Sequence, residues 1–211
     1  MEDAVGDAWR RITAWLGVHA PDTAAQVQGP GDPSLIDAVE RDVGVPLPAD
    51  LRAWWRLADG FQPGVLQALI PWIHVPLPIA VARDERRQLV ELSARVGWPD
   101  SDGYDAGSFS NRYQPAFLPI STDHCGQVLF VDLRPGPLRG SVSEWDHEEG
   151  FLKPHDWTGV TDMLTDIADA LELGQPAMVA YAERLRAAGF ASDPRAWAAI
   201  TETGELEWNG R

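Results

Sequence analysis

The stretch Gln127-Val128-Leu129-Phe130-Val131-Asp132-Leu133 decides the fold class. β-Branched and aromatic residues fill it and turn-forming clusters bound it, the composition of a strand. Phe117-Leu118-Pro119-Ile120 precedes it and Gly140-Ser141-Val142-Ser143-Glu144-Trp145 follows, both of the same kind. The gaps are too short for parallel crossovers, which need a dozen or more residues, so an antiparallel meander is predicted. On both sides the apolar period lengthens to that of a helix. Upstream, Val5, Trp9, Ile12 and Leu16 mark one helical face, with Gly17 as its end. Ile36 and Val39, with Leu35 and Val43, mark a second helix, capped by Asp32 or Ser34 and stopped by Gly44. Leu51, Trp54, Trp55 and Ala58 follow Pro48 as a third, and Val81, Leu89, Leu92 and Val96 are the inward face of a fourth. Between these last two, the apolar run from Leu69 to Ile79 is broken by Pro71, Pro76 and Pro78, which suits an edge strand. Downstream, Val160, Met163, Leu164, Ile167 and Leu171 give a helix ending at Gly174. Pro176 opens another, carrying Met178, Tyr181, Ala182 and Leu185. The tail from Ile200 to Trp208 reads as a hairpin turning at Thr203-Gly204 and added to the sheet edge. The prediction is α+β, a central mostly antiparallel sheet flanked by N-terminal and C-terminal helices.

The chain has 211 residues, 45% hydrophobic and 23% charged, enough for one folded domain and unlike a disordered polymer. No apolar run approaches the length of a membrane-spanning helix, so no membrane association is expected. The start, Met1-Glu2-Asp3-Ala4, lacks the basic and apolar parts of a secretory signal. Cys125 is the single cysteine, so no intrachain disulfide forms, and a reducing cytoplasm is the expected location. With 17 basic and 32 acidic residues the net charge is −15. Such a surface repels nucleic acid, so the expected partner is a basic protein, or there is no charged partner at all.

The catalytic and metal-binding patterns are weak. Asp123-His124-Cys125-Gly126 could supply a nucleophile and base, with His147 or His155 folded back onto it. Adjacent strand residues point to opposite faces, so it reads better as a turn entering a strand, with Cys125 a small buried hydrophobe. Asp100-Ser101-Asp102-Gly103-Tyr104-Asp105 resembles a calcium loop, but Asn111 stands where the twelfth-position glutamate belongs, and a solvated loop fits it better. No phosphate-binding or dinucleotide fingerprint occurs, so no cofactor and no metal is expected. Most of the ten tryptophans fall on apolar helix faces; Trp145 and Trp157, beside polar residues, stay open as binding candidates.

Charge gives the clearest signal. Between Glu144 and Glu172 lie nine acids and one base, Lys153. Asp162, Asp166 and Asp169 follow one another at helical spacing, with no Lys or Arg on that helix to pair with them. The stripe is either a solvated face that maintains solubility or a docking surface whose field attracts a basic partner. On the second reading the contacts are Glu144, Trp145, Asp146, Glu148, Glu149, Asp162, Asp166 and Asp169.

Several motifs together resemble one family. They are Trp9-x-x-Ile12-x-x-Trp15-Leu16, Ile36-x-x-x-Glu40-x-x-x-Gly44-x-x-Leu47-Pro48-x-Asp50-Leu51, Trp54-Trp55, Asp59-Gly60, Pro119-Ile120, Gly126-x-x-Leu129-x-x-Asp132-Leu133-x-Pro135-Gly136, Gly140-x-Val142 and, on the last helix, Leu164 with Leu171-Glu172-x-Gly174. In these the chain is similar to the SUKH superfamily, which includes the yeast Smi/Knr cell-wall assembly regulators and many bacterial proteins. The likeness covers roughly residues 5 to 175. It departs at Val160-Thr161-Asp162-Met163, where the family carries serine-phenylalanine. The resemblance implies a SUKH-like domain over 1–175, with 176–211 a helix-and-hairpin extension packed on it. It implies an α+β fold without catalysis, in which Glu40, Gly44, Leu47, Pro48, Asp59 and Gly60 are structural. It also implies an immunity protein that neutralises a basic, nuclease-type toxin; the alternative is an intracellular regulator or scaffold linked to cell-wall assembly. A monomer or weak homodimer is expected.

Overall fold

The computed structural model describes residues 2–96, 105–148, 150–151 and 153–210. Strands β2 (Phe117–Thr122), β3 (Gln127–Asp132) and β4 (Val142–Asp146) form the expected antiparallel meander, and the two-residue β1 (Val75–Pro76) pairs with the outer edge of β2. Pro76 is tolerated because an edge strand needs only half its main-chain donors. β3 lies between β2 and β4 and alternates its side chains between two interiors. Leu129 and Val131 enter the main core; Val128 and Phe130 enter a separate aromatic cluster with Tyr113, Phe117, Trp145 and Phe151. Phe117 and Phe130 stack at 3.9 Å, and Tyr113 stands edge-on to Phe117 and Trp145. At the end of β3 the buried Asp132 carboxylate is gripped by the equally buried Arg134, whose guanidinium also covers the Phe117 ring at 4.8 Å.

The main core is completed by helices. α1 (Glu2–His19) packs on α4 (Ala49–Leu57) and α6 (Val160–Leu173), and Trp9 meets Trp54 edge-on. α3 (Pro33–Val43) is capped by Asp32, which accepts from Ser34 N, and ends at Gly44 with φ 78°. Glu40 has two partners: its Oε1 accepts Leu47 N at 2.8 Å and its Oε2 meets Arg52. Asp59 accepts Ile79 N at 2.6 Å and so caps α5 (Ile79–Val96). Gly60 has φ 66°, and a Cβ there would lie 2.4 Å from the Leu77 carbonyl. The Asp-Gly pair is therefore a structural joint. α2 (Pro21–Ala24) and α7 (Val179–Ala187) complete the helices. Among the described residues no helix is long and apolar enough to cross a membrane.

Three local expectations are corrected. α1 continues past Gly17 to His19. Val81, Leu92 and Val96 are exposed, because the buried face of α5 runs through Ile79, Ala82 and Ser93. Ser93 Oγ accepts Tyr113 N, and the half-buried Arg86 donates to Pro115 O, so polar residues occupy an inward stripe that apolar periodicity cannot detect. The tail hairpin, β5 (Trp197–Ile200) and β6 (Leu206–Asn209), forms its own two-stranded sheet. It is fastened by Leu206 N to Thr23 Oγ1 at 2.8 Å and by Trp208 Nε1 to Leu69 O at 3.2 Å.

Replacing Arg134 with Leu leaves the Asp132 carboxylate buried without its counter-charge. A loss of about 3–5 kcal/mol is expected in urea unfolding. The exposed Arg56–Glu2 pair provides the contrast, and Arg56→Leu should cost no more than about 1 kcal/mol.

Candidate functional site: acidic clefts around Trp72

Among the described residues, three other than glycine have positive φ: Trp72 (67°), His124 (60°) and Met178 (64°). For bulky side chains this region costs on the order of 1–3 kcal/mol and persists only when surrounding contacts enforce it. Met178 is held through its N–H, which donates to Asp166 Oδ2 at 2.8 Å. Trp72 is held through Nε1, which donates to Pro194 O at 3.1 Å. Both residues line one cavity of about 240 Å³.

Glu144 and Asp156 form the polar side of that cavity, with Lys153 and Tyr181. Asp156 Oδ2 accepts Glu144 N at 2.9 Å. Burial, reinforced by the neighbouring Glu144 charge, pushes the Asp156 carboxyl well above the usual carboxylate range. Burial likewise raises the Tyr181 phenol. Glu144 Oε2 meets His74 Nε2 at 3.2 Å, and Lys153 Nζ lies 3.8 Å from Glu144 Oε1. His74 Nδ1 continues to Ser121 Oγ at 3.2 Å. This row has the residue types of a serine nucleophile, base and orienter. Yet Ser121 is 0% exposed and its hydroxyl also faces Leu129 N at 3.4 Å, so the row supports the sheet from inside with no access for a substrate.

A second cavity, about 410 Å³, shares Trp72 and runs along residues 205–209. Leu66 and Ile73 on its other wall are 75% and 55% exposed. Among the described residues, the charged lining of both cavities consists of Glu144, Asp156, Asp193, Glu205, Glu207 and the single cation Lys153. Asp193 is already paired with Arg195 at 2.5 Å.

Of the eight predicted contacts, Glu144 alone among the described residues lines these cavities. Trp145 points to the opposite face of β4, into the aromatic cluster, and Trp157 is also buried. Asp146 accepts from Gln127 Nε2 at 2.6 Å and from Glu148 N at 2.7 Å; Glu148 is exposed at that turn, and Glu149 lies outside the described residues. The α6 stripe is not an open row of free carboxylates. Asp162 accepts Thr158 N and Oγ1, both at 2.9 Å. Asp166 accepts Trp157 Nε1 and Met178 N, and burial raises its pKa. Asp169 and Glu172 share Arg11, each at 2.6 Å, an arginine on α1 some 160 positions away in the chain. Chain distance hid that cation from any reading of α6 alone.

Asp123-His124-Cys125-Gly126 is the β2–β3 turn, with Asp123 Oδ1 accepting Cys125 N and Gln127 N. Cys125 is exposed, against the expectation of a buried hydrophobe; the His147 ring does fold back beside Gly126, but among the described residues no hydrogen bond joins it to Cys125. The calcium-like stretch falls at residues 100–104, outside the described residues, except for Asp105. Periodicity missed Trp72 because it sits in the proline-broken run, where neither a period of two nor of 3.6 applies. It missed Glu205 and Glu207 because their hairpin was placed on the main sheet.

Fold and clefts define an α+β domain with an acidic, partly apolar recess on its surface. The model of the SMI1 / KNR4 family (SUKH-1) matches residues 30–169, most of the chain, and the protein belongs to that family. It is similar to the "Cell wall assembly regulator SMI1" of Saccharomyces cerevisiae, 24% identical over 207 residues, covering 79% of this chain and 40% of the relative. It is also similar to the "KNR4/SMI1 homolog" of Eremothecium gossypii, 24% identical over 196 residues, covering 62% and 30% respectively. The "KNR4/SMI1 homolog" of Kluyveromyces lactis matches 53 residues at 42%, covering 25% of this chain and 10% of the relative. The chain thus spans at most 40% of the length of these relatives.

Asp156 and Asp166 make stability depend on pH. A carboxyl whose folded pKa is raised binds its proton more tightly in the folded state, so stability falls as pH climbs from the ordinary carboxylate range through the raised value. In Asp156→Asn the amide oxygen can still accept Glu144 N while this titration is removed. Urea unfolding from about pH 4 to about pH 8 should show the variant gaining stability relative to the wild type as pH rises.

Proposed function

We propose that the protein is a non-catalytic protein-binding module of the immunity type, neutralising a basic, nuclease-type toxin by covering it with the acidic clefts around Trp72. The observation that supports this is how charge is sorted in the fold. Arg11, Arg52, Arg83 and Arg134 are paired with carboxylates, and Arg184 donates to the carbonyls of His155 and Asp156. Glu202, Glu205 and Glu207, all on the tail hairpin, have no cationic partner among the described residues. Much of the positive charge is therefore neutralised within the fold, and the negative charge that remains faces outward. Such a field accelerates encounter with a cationic protein and disfavours acidic competitors. Trp72, Leu66 and Ile73 add the aromatic and apolar anchors that carry affinity once water is displaced.

A second reading, a regulator or scaffold in cell-wall assembly, is favoured by the name of the Saccharomyces cerevisiae relative, a cell wall assembly regulator. Capture from native lysate at low and high salt separates the two. Recovery of a basic nuclease, released by salt and inactivated when the chain is added back, is the expected result. Recovery of an endogenous cell-wall protein would favour the second reading, and a salt-insensitive acidic partner would contradict the proposed docking face. Reversing Glu205 and Glu207 to Lys should slow association with the captured partner about tenfold or more and flatten its salt dependence.

A further inference from the structure

We infer that the partner docks by strand addition: an extended segment, alternately cationic and apolar, pairs with the part of the β6 edge past Leu206 N, beside Trp72. This rests on the reading that the partner is a basic protein, and it adds the mode of recognition. Thr201 N donates to Glu205 O at 2.9 Å, so these two residues turn their main-chain groups toward each other across the hairpin. The register pairs Ile200 with Leu206, Ala199 with Glu207, Ala198 with Trp208 and Trp197 with Asn209. Bonded and non-bonded pairs alternate in an antiparallel ladder, so Glu207 and Asn209 face β5 while Leu206 and Trp208 turn their N–H and C=O groups outward. Two contacts confirm the alternation: Leu206 N donates outward to Thr23 Oγ1, and Ala196, of matching parity on the other strand, pairs outward with Ala177.

Past Leu206 N, the Leu206 carbonyl and the Trp208 N–H and carbonyl have no partner among the described residues. Unpaired groups on a strand edge are a template for another strand. Here they lie along the 410 Å³ groove, whose opposite wall carries Leu66, Trp72 and Ile73. Leu206 and Trp208 are buried, while Glu207 is exposed on the opposite face of the strand. An added strand would set one row of side chains beside Glu205 and Glu207 and offer apolar side chains to Leu66 and Ile73. Cationic residues fit the first row. No lysine or proline blocks β6, and its carboxylates discourage acidic strands while admitting basic ones. The β6 edge falls outside the span matched by the family model, residues 30–169, while the facing Leu66, Trp72 and Ile73 lie inside it, so the groove forms where the extension meets the family domain.

The test uses the full chain and a labelled eight-residue peptide of alternating Lys and Val, read by fluorescence anisotropy. Two further peptides carry N-methyl groups on alternate main-chain nitrogens, one set in each register. Strand addition requires one methylated register to bind about tenfold or more weaker than the parent and the other to bind nearly as well. The Trp208 amide resonance should shift on binding, and Ile73→Ser, at an exposed site, should weaken binding by a similar factor. If both methylated peptides match the parent, strand addition is overturned while a basic partner still stands. If none of the peptides binds, the groove is not a strand site, and the salt-dependent capture described above decides the basic-partner reading separately.

Discussion

β3 has to bury both of its faces, and the rest of the architecture follows from that requirement. A strand covered on one side can keep alternate residues polar; here Val128 and Phe130 fill one interior while Leu129 and Val131 fill the other. A slip of one residue would exchange the two sets and place Phe130 among the helices. The aromatic cluster therefore fixes the register, and the register places Glu144 of β4 opposite Leu129, on the face where His74 and Asp156 meet it.

Acidity serves two purposes in this molecule. Many carboxylates are acceptors for main-chain N–H groups: Glu40 for Leu47, Asp50 for Thr161, Asp59 for Ile79, Asp132 for Gly107, Asp156 for Glu144 and Asp166 for Met178. They act as joints between segments that helix and sheet ladders leave unsatisfied. A net charge of −15 consequently overstates how much of the acid is free to meet a partner, and the α6 aspartates show how. On the tail hairpin, Glu205 and Glu207 lie outside this system of main-chain joints and line one groove with the exposed apolar residues Leu66 and Ile73 near Trp72.

The sequence was legible where a residue's neighbours in space are its neighbours in the chain. Helix stops at Gly44 and Gly174, the cap at Asp32, the edge position of β1 and the three-strand meander all follow from local chemistry. So does the inward face of α6, where every predicted residue is buried. Legibility ended where pairing is long-range. Arg11 belongs to Asp169 and Glu172, and Trp145 was assigned to a surface because its polar neighbours in the chain are on the surface. The candidate site was the least legible part. Trp72 and β6 are far apart in the chain, and the hydrogen bonds that bring their segments together, Trp72 Nε1 to Pro194 O and Trp208 Nε1 to Leu69 O, are encoded by no spacing.

Amide hydrogen exchange on the chain, alone and with its native partner bound, tests the docking face most directly. Slowed exchange concentrated in residues 66–73 and 205–209, with α5 unchanged, is the expected result. Slowing confined to α5 or α3, with those two segments exchanging as in the free protein, would contradict the account.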